Sequence, residues 1–257
     1  MPVFEDLAGK SVFVTGGARG LGYAIAEGLA QQGCNVALAD LLDGVEDSAR
    51  TLAEQYGVKA VGIRTDVTDA AQVDAAFAQA DAELGTIEVL MAVAGITLWG
   101  DSVDTTPEEW RKVFAVCTDG TFFAAQSWAR RLLAREATGS AVFISSMSGR
   151  IANVPQAQAA YNSAKAAVDM LAKSLGVEWA SRGLRVNAVA PGYFMSEMTK
   201  QFTDKNPDLY REWNSLTPLG RFGVPDDLKG ITAFLASDAS SYITGSSMLI
   251  DGGYVAR

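Results

Sequence analysis

An α/β protein with a doubly wound, seven-stranded parallel sheet and helices on both faces is what this sequence predicts, on three observations. Short β-branched or apolar runs alternate in strict order with stretches whose apolar residues recur at helical spacing. The 257 residues suit one large domain with a sizeable core. A glycine-rich turn stands between the first run and the first helical stretch.

Strands are expected at residues 11–15, 35–39, 60–64, 87–93, 141–145, 185–190 and 248–250. Between them, Ile25, Leu29 and Ala30, then Val73, Ala76, Phe77 and Ala80, give helices with one apolar face. Each helix returns the chain so that the next strand runs parallel to the last. Residues 191–219 read as a long irregular stretch in which Tyr193, Phe194, Phe202, Tyr210 and Trp213 stand among polar residues. Such a length predicts a lid over a substrate, with a short helical excursion on the surface as the alternative.

Composition excludes several function classes. Thirty acidic against 21 basic side chains give a net charge of −9, which opposes any general grip on nucleic acid or anionic lipid. No leader-like N-terminus and no apolar run near 18 residues is present, so a cytoplasmic protein with small-molecule partners is expected. Cys34 and Cys117 are too few for a disulfide framework or a metal site, and none is expected. The chain has no histidine, which removes Ser-His-Asp hydrolysis and histidine-ligated zinc. Tyrosine, lysine, carboxylates, serine and cysteine remain for chemistry.

The first strand runs into Thr15-Gly16-Gly17-Ala18-Arg19-Gly20-Leu21-Gly22 and then a helix. Glycine at these places lets backbone approach a pyrophosphate, and the helix N-terminus supplies free N–H groups and a favourable dipole. Strand, turn and helix in this order predict a Rossmann-type dinucleotide site, and residues 1–257 are expected to form a single dinucleotide-binding and catalytic domain. Asp40 ends the second strand, 18 residues after Gly22, where a carboxylate can bond the adenosine ribose. Repulsion of a 2′-phosphate by that charge favours NAD; Arg19 keeps NADP open.

Tyr161 and Lys165 are four residues apart on an expected helix and therefore share one face; Ser146 follows the fifth strand. A phenol titrates near 10, so only about one in a thousand is ionised at pH 7. A lysine ammonium and an oxidised nicotinamide nearby can stabilise the anion. The expected chemistry is abstraction of an alcohol proton by Tyr161, with Ser146 on the same oxygen and hydride passing to the nicotinamide.

These residues together resemble the short-chain dehydrogenase/reductases over essentially the whole chain. The resemblance implies that Gly16, Arg19, Gly20, Leu21, Gly22, Asp40, Ala94, Gly95, Tyr161, Lys165 and Phe194 bind cofactor, with Asp66 and Val67 at the adenine and Pro191, Gly192 and Ser196 in the segment that holds the nicotinamide carboxamide. It also implies that Ser146, Tyr161 and Lys165 are catalytic. The segments SSMSGRIANVPQAQAAYNSAK and APGYFMSEMT are most similar to the branch of polyol dehydrogenases and ketose reductases, such as the galactitol dehydrogenases. Two departures stand out. Ala92-Val93 occupies the place of a usual Asn-Asn pair, so side-chain bonds that brace the sheet are missing. Cys117 replaces an Asn that, in the family, holds a water linking the lysine to solvent.

Between Ser146 and Tyr161 lie Ser148, Asn153, Gln156 and Gln158, neutral groups able to bond several hydroxyls; Ser148, Asn153 and Gln158 are the expected substrate contacts. A secondary alcohol of the polyol or sugar-alcohol class is therefore expected. Reduction of another carbonyl such as a 3-oxoacyl compound, or a nucleotide-binding homologue with weakened catalysis, are the alternatives. Along the Tyr161 helix, Ala164, Val168, Leu171 and Leu175 should face the sheet, leaving Ala166, Met170, Ser174 and Val177 on the other side. Apolar residues on both sides predict burial between subunits, in a homotetramer or dimer.

Overall fold

The computed structural model describes residues 2–195 and 197–256, and only the backbone of residues 197, 198, 201 and 202. Seven strands form one sheet among them: β1 (Ser11–Thr15), β2 (Asn35–Asp40), β3 (Ala60–Arg64), β4 (Ile87–Ala92), β5 (Gly139–Ile144), β6 (Leu184–Pro191) and β7 (Ser247–Ile250). The order is β3-β2-β1-β4-β5-β6-β7 and every neighbouring pair is parallel. From β1 the chain first steps outward to β3 and then returns with β4 on the opposite side of β1. The C-terminal ends of β1 and β4 therefore flank a topological switch point, where open parallel sheets carry their ligands.

Among the described residues, nine α-helices accompany the strands: α1 (Gly20–Ala30), α2 (Val45–Tyr56), α3 (Ala70–Leu84), α4 (Pro107–Phe114), α5 (Gly120–Ala134), α6 (Ala159–Trp179), α7 (Glu197–Lys205), α8 (Pro207–Ser215) and α9 (Lys229–Ala236). Alternation along β1 divides the core. Phe13 stacks on Phe77 of α3, with ring centroids 3.9 Å apart, in a layer that also holds Trp128 and Phe143. Val12 and Val14 face the other way, onto Ile25 and Leu29 of α1 and Leu235 of α9. A sheet covered on both faces needs continuous apolar strands, which is why these runs do not alternate with polar residues.

The expected strands are all present, with ends displaced by one or two residues. Residues 191–219 differ from the expectation of an irregular stretch: Pro191 closes β6, and α7 and α8 occupy most of the remainder. Pro207 starts α8, where its missing N–H costs nothing, and Trp213 anchors the helix at 2% exposure. Along α6, Ala164 and Val168 are fully buried, whereas Met170 and Val177 are 59% and 79% exposed. No helix among the described residues is long and apolar enough to cross a membrane.

Candidate active site

The turn after β1 is packed so closely that its glycines are obligatory. A Cβ on Gly22 would stand 2.0 Å from the Gly16 carbonyl oxygen, and one on Gly16 would stand 2.9 Å from Ala94 Cα beyond β4. Gly20 takes φ +63°, a left-handed conformation, and nothing lies within 4 Å of where its side chain would be. Arg19 precedes α1 without a side-chain cap and is exposed. The first N–H groups of α1 are therefore not taken by a side-chain cap, an arrangement that fits a dinucleotide pyrophosphate.

Asp40 is half-buried and both of its carboxylate oxygens are engaged: one accepts from Ala18 N at 3.0 Å, the other from Leu42 N at 3.1 Å. It braces the glycine turn. Asp66 accepts from Thr68 N and Oγ1 at 2.9 and 2.7 Å, while Val67 is buried against Gly120. Across the switch point, Thr15 Oγ1 accepts from both Val93 N (3.0 Å) and Ala94 N (3.2 Å). The bracing expected to be lost with the Asn-Asn pair is supplied here by one hydroxyl from the neighbouring strand. Sequence reasoning overlooked Thr15, which reads as an ordinary β-branched strand residue.

Lys165 is 3% exposed on α6, and its Nζ donates to the Ile144 carbonyl at the end of β5 (2.7 Å). That nitrogen lies 5.8 Å from the Tyr161 ring centroid and 3.2 Å from where a Cβ on the exposed Gly95 would be. Holding the ammonium on a carbonyl leaves two of its three protons for other partners. Ser146 follows β5 and caps a short 3-10 turn, its Oγ accepting from Ser148 N at 3.1 Å. Because that contact uses a lone pair, the hydroxyl proton stays available. Fold topology brings Ser146, Tyr161, Lys165 and Gly95 to the same end of the sheet as the glycine turn.

Ser148, Asn153, Gln156 and Gln158 lie together and are buried, between 5% and 9% exposed, rather than standing in solvent. Gln158 Nε2 stands 2.9 Å from Asn153 Oδ1, 2.9 Å from Asn162 Oδ1 and 3.3 Å from Ser148 Oγ. Tyr193 closes the group: Asn153 Nδ2 is 3.4 Å from its hydroxyl, which lies 3.2 Å from Gln156 Oε1. Its ring stacks on Trp213 of α8 at 4.5 Å, and Trp99 meets the same indole edge-on at 6.1 Å. Tyr254, far along the chain, packs against Tyr193 at 5.3 Å, and nothing in the sequence signalled it.

Pro191 and Gly192 are at the end of β6, with Gly192 close against Asp251. The ring of Phe194 is 7% exposed and lies over Gly223 in the core, so only its backbone is placed to meet a cofactor. Ser196 lies outside the described residues. Cys117 sits in a π-helical turn, Ala115–Asp119, joining α4 to α5. It is fully buried, its Sγ 3.4 Å from both the N and O of Ile96, and 3.5 Å from where a Cβ on Gly95 would be. The Thr118 hydroxyl, meanwhile, donates to Ala164 O at 3.3 Å. Among the described residues no cluster of side chains could hold a metal ion.

A family model described as enoyl-(acyl carrier protein) reductase matches residues 16–255. A sorbose reductase of Candida albicans is 41% identical, over 97% of this chain and 88% of its own. A galactitol 2-dehydrogenase (L-tagatose-forming) of Cereibacter sphaeroides is also 41% identical, over 96% of both chains. An NADP-dependent mannitol dehydrogenase of Alternaria alternata is 40% identical, over 98% of this chain and 94% of its own. Among solved structures, a short-chain type dehydrogenase/reductase from Mycobacterium marinum superposes with a TM-score of 0.93 at 37% identity, covering 99% of this chain and 98% of that one. With the glycine cradle, the Tyr161–Lys165 pair and this likeness over nearly its full length, the chain is an oxidoreductase and belongs to the short-chain dehydrogenase/reductase family.

Proposed function

We propose that this protein interconverts a polyol or sugar alcohol and its ketose, using NAD or NADP, with Ser146, Tyr161 and Lys165 as the catalytic residues. The observation that carries the reading is the buried strip of neutral hydrogen-bonding groups, Ser148, Asn153, Gln156 and Gln158, beginning two residues from Ser146. Such groups match a substrate with several hydroxyls and no charge, whereas an acyl chain offers nothing to their remaining hydrogen-bonding capacity. The sugar-alcohol and ketose activities named for the relatives agree with it.

When bound, the nicotinamide supplies the hydride acceptor or donor. Tyr161 takes the proton of the alcohol, or returns it in reduction. Ser146 donates to the same oxygen, its lone pair already held by Ser148 N. Lys165, fixed on Ile144 O, sets the positive field beside the phenol and directs its remaining protons toward the ribose. Gly16, Gly20, Leu21 and Gly22 hold the pyrophosphate with Arg19 at its edge, Asp66 and Val67 meet the adenine, and Ala94, Gly95, Pro191, Gly192 and the Phe194 backbone enclose the rest. The whole chain works as one domain, with α7 and α8 as the lid. The exposed Met170 and Val177 support a homotetramer or dimer, and the acidic balance with two buried free thiols supports a cytoplasmic setting.

The test is a panel of sugar alcohols, ketoses and simple alcohols followed by nicotinamide absorbance with each cofactor. Turnover of simple alcohols without any preference for polyols would overturn the substrate class. Cofactor choice is tested at Asp40. Asp40→Ser with Leu41→Arg is expected to raise the ratio of NADP to NAD affinity by roughly tenfold or more in fluorescence titrations, because a 2′-phosphate then meets a base rather than a carboxylate. An unchanged ratio would place the discrimination outside this turn.

Cys117→Asn is expected to raise kcat by less than about 10²-fold with little change in cofactor affinity, since an amide holds a water better than a thiol. The solvent isotope effect on kcat should change with it. If both stay constant, the water is held elsewhere; if only the variant turns over, the native chain is a nucleotide-binding protein.

A further inference from the structure

Four side chains, Gln158, Asn153, Tyr193 and Gln156, form a line of hydrogen bonds along the substrate side of α6, and the chemistry of its members fixes the direction of every bond. An amide N–H2 only donates and an amide oxygen only accepts. Gln158 Nε2 has two protons, and the acceptors at 2.9 Å, Asn153 Oδ1 and Asn162 Oδ1, take both. Ser148 Oγ, at 3.3 Å from the same nitrogen, is left as at most a weak acceptor, and its own proton takes no part in the contact. With its oxygen turned to Gln158, Asn153 must present N–H2 to the Tyr193 oxygen, and Tyr193 must donate to Gln156 Oε1.

Burial pushes the Tyr193 phenol up to about 12, so that proton stays in place throughout the working range. A phenol hydroxyl gives one hydrogen bond and accepts two. Gln156 takes that proton and Asn153 supplies a donor, so the Tyr193 hydroxyl proton is committed within the strip rather than offered to a substrate. Its ring packs on Trp213 at 4.5 Å and on Phe222 at 5.3 Å, two rings that also touch each other at 6.4 Å, so the oxygen is positioned by α8 and by the segment leading to α9.

We infer that Tyr193 is a positioning residue that fixes the orientation of the Asn153 and Gln156 amides, so that the strip is held in one arrangement that selects polyhydroxy substrates. The inference rests on the polyol reading and names the residue that keeps the strip in order. Without the Tyr193 oxygen, the Asn153 and Gln156 amides lose the partner that orients them and can turn, and the strip is no longer held in that arrangement.

The experiment compares the purified holoenzyme and Tyr193→Phe on a hexitol and on cyclohexanol, a secondary alcohol with no other hydroxyl. The ratio of the two kcat/KM values is expected to fall about tenfold in the variant, through KM for the hexitol more than through kcat. Gln156→Met should cause a similar fall, and the double variant should be little worse than either single one, because both break the same line. An unchanged ratio in Tyr193→Phe, or losses that multiply in the double variant, would overturn the inference while leaving the polyol reading intact. A wild-type enzyme with no hexitol preference would overturn that reading and this inference with it.

Discussion

Tyr161→Phe is expected to lower kcat by about 10³-fold, within the range typical of a lost general acid–base group, while cofactor affinity stays within about twofold. The substitution removes one oxygen and almost no volume, and the ring keeps its place above the buried Lys165, 5.8 Å from Nζ. Steady-state kinetics with the best substrate of the panel, beside a fluorescence titration of cofactor, separates the two quantities. Activity near that of the native enzyme would remove Tyr161 from the proton transfer. Loss of cofactor binding in parallel would make the phenol oxygen a ligand first.

Gly22→Ala is expected to act on the opposite half of the site. Its Cβ would stand 2.0 Å from Gly16 O, a backbone atom that cannot swing aside, so the turn and α1 must separate. Overpacking of this kind costs about 1–3 kcal/mol in stability. The displaced N–H groups no longer converge, and cofactor affinity should fall by about 10²-fold or more. Thermal unfolding with and without cofactor measures both effects. A folded variant with unaltered affinity would mean that the pyrophosphate is held elsewhere.

The parts of this protein that the sequence made legible are those governed by short-range rules. A strand is visible in 11–15 because Val12, Phe13 and Val14 are buried from both faces, and the turn after it because left-handed or crowded backbone admits only glycine. Tyr161 and Lys165 were legible because helical spacing alone puts them on one face. Residues 191–219 were harder to read, since α7 and α8 are short, polar and separated by Asn206, and take their order from contacts such as Trp213 on Tyr193. Tyr254 was invisible because its partner lies 61 positions away. Asp40 was read as a ribose ligand, and its second task, holding Ala18 and Leu42, depends on a turn geometry that no spacing encodes.

Thr15 redistributes constraint between two strands. Its hydroxyl holds both backbone amides that follow β4. Positions 92 and 93 are consequently released from hydrogen-bonding duty and become exchangeable among small apolar residues, subject only to the space available. The whole restriction passes to position 15, where the side chain must be short, carry a hydroxyl and still suit a strand. Serine meets the first two demands and threonine all three, so freedom at the end of one strand is matched by constraint at the end of its neighbour.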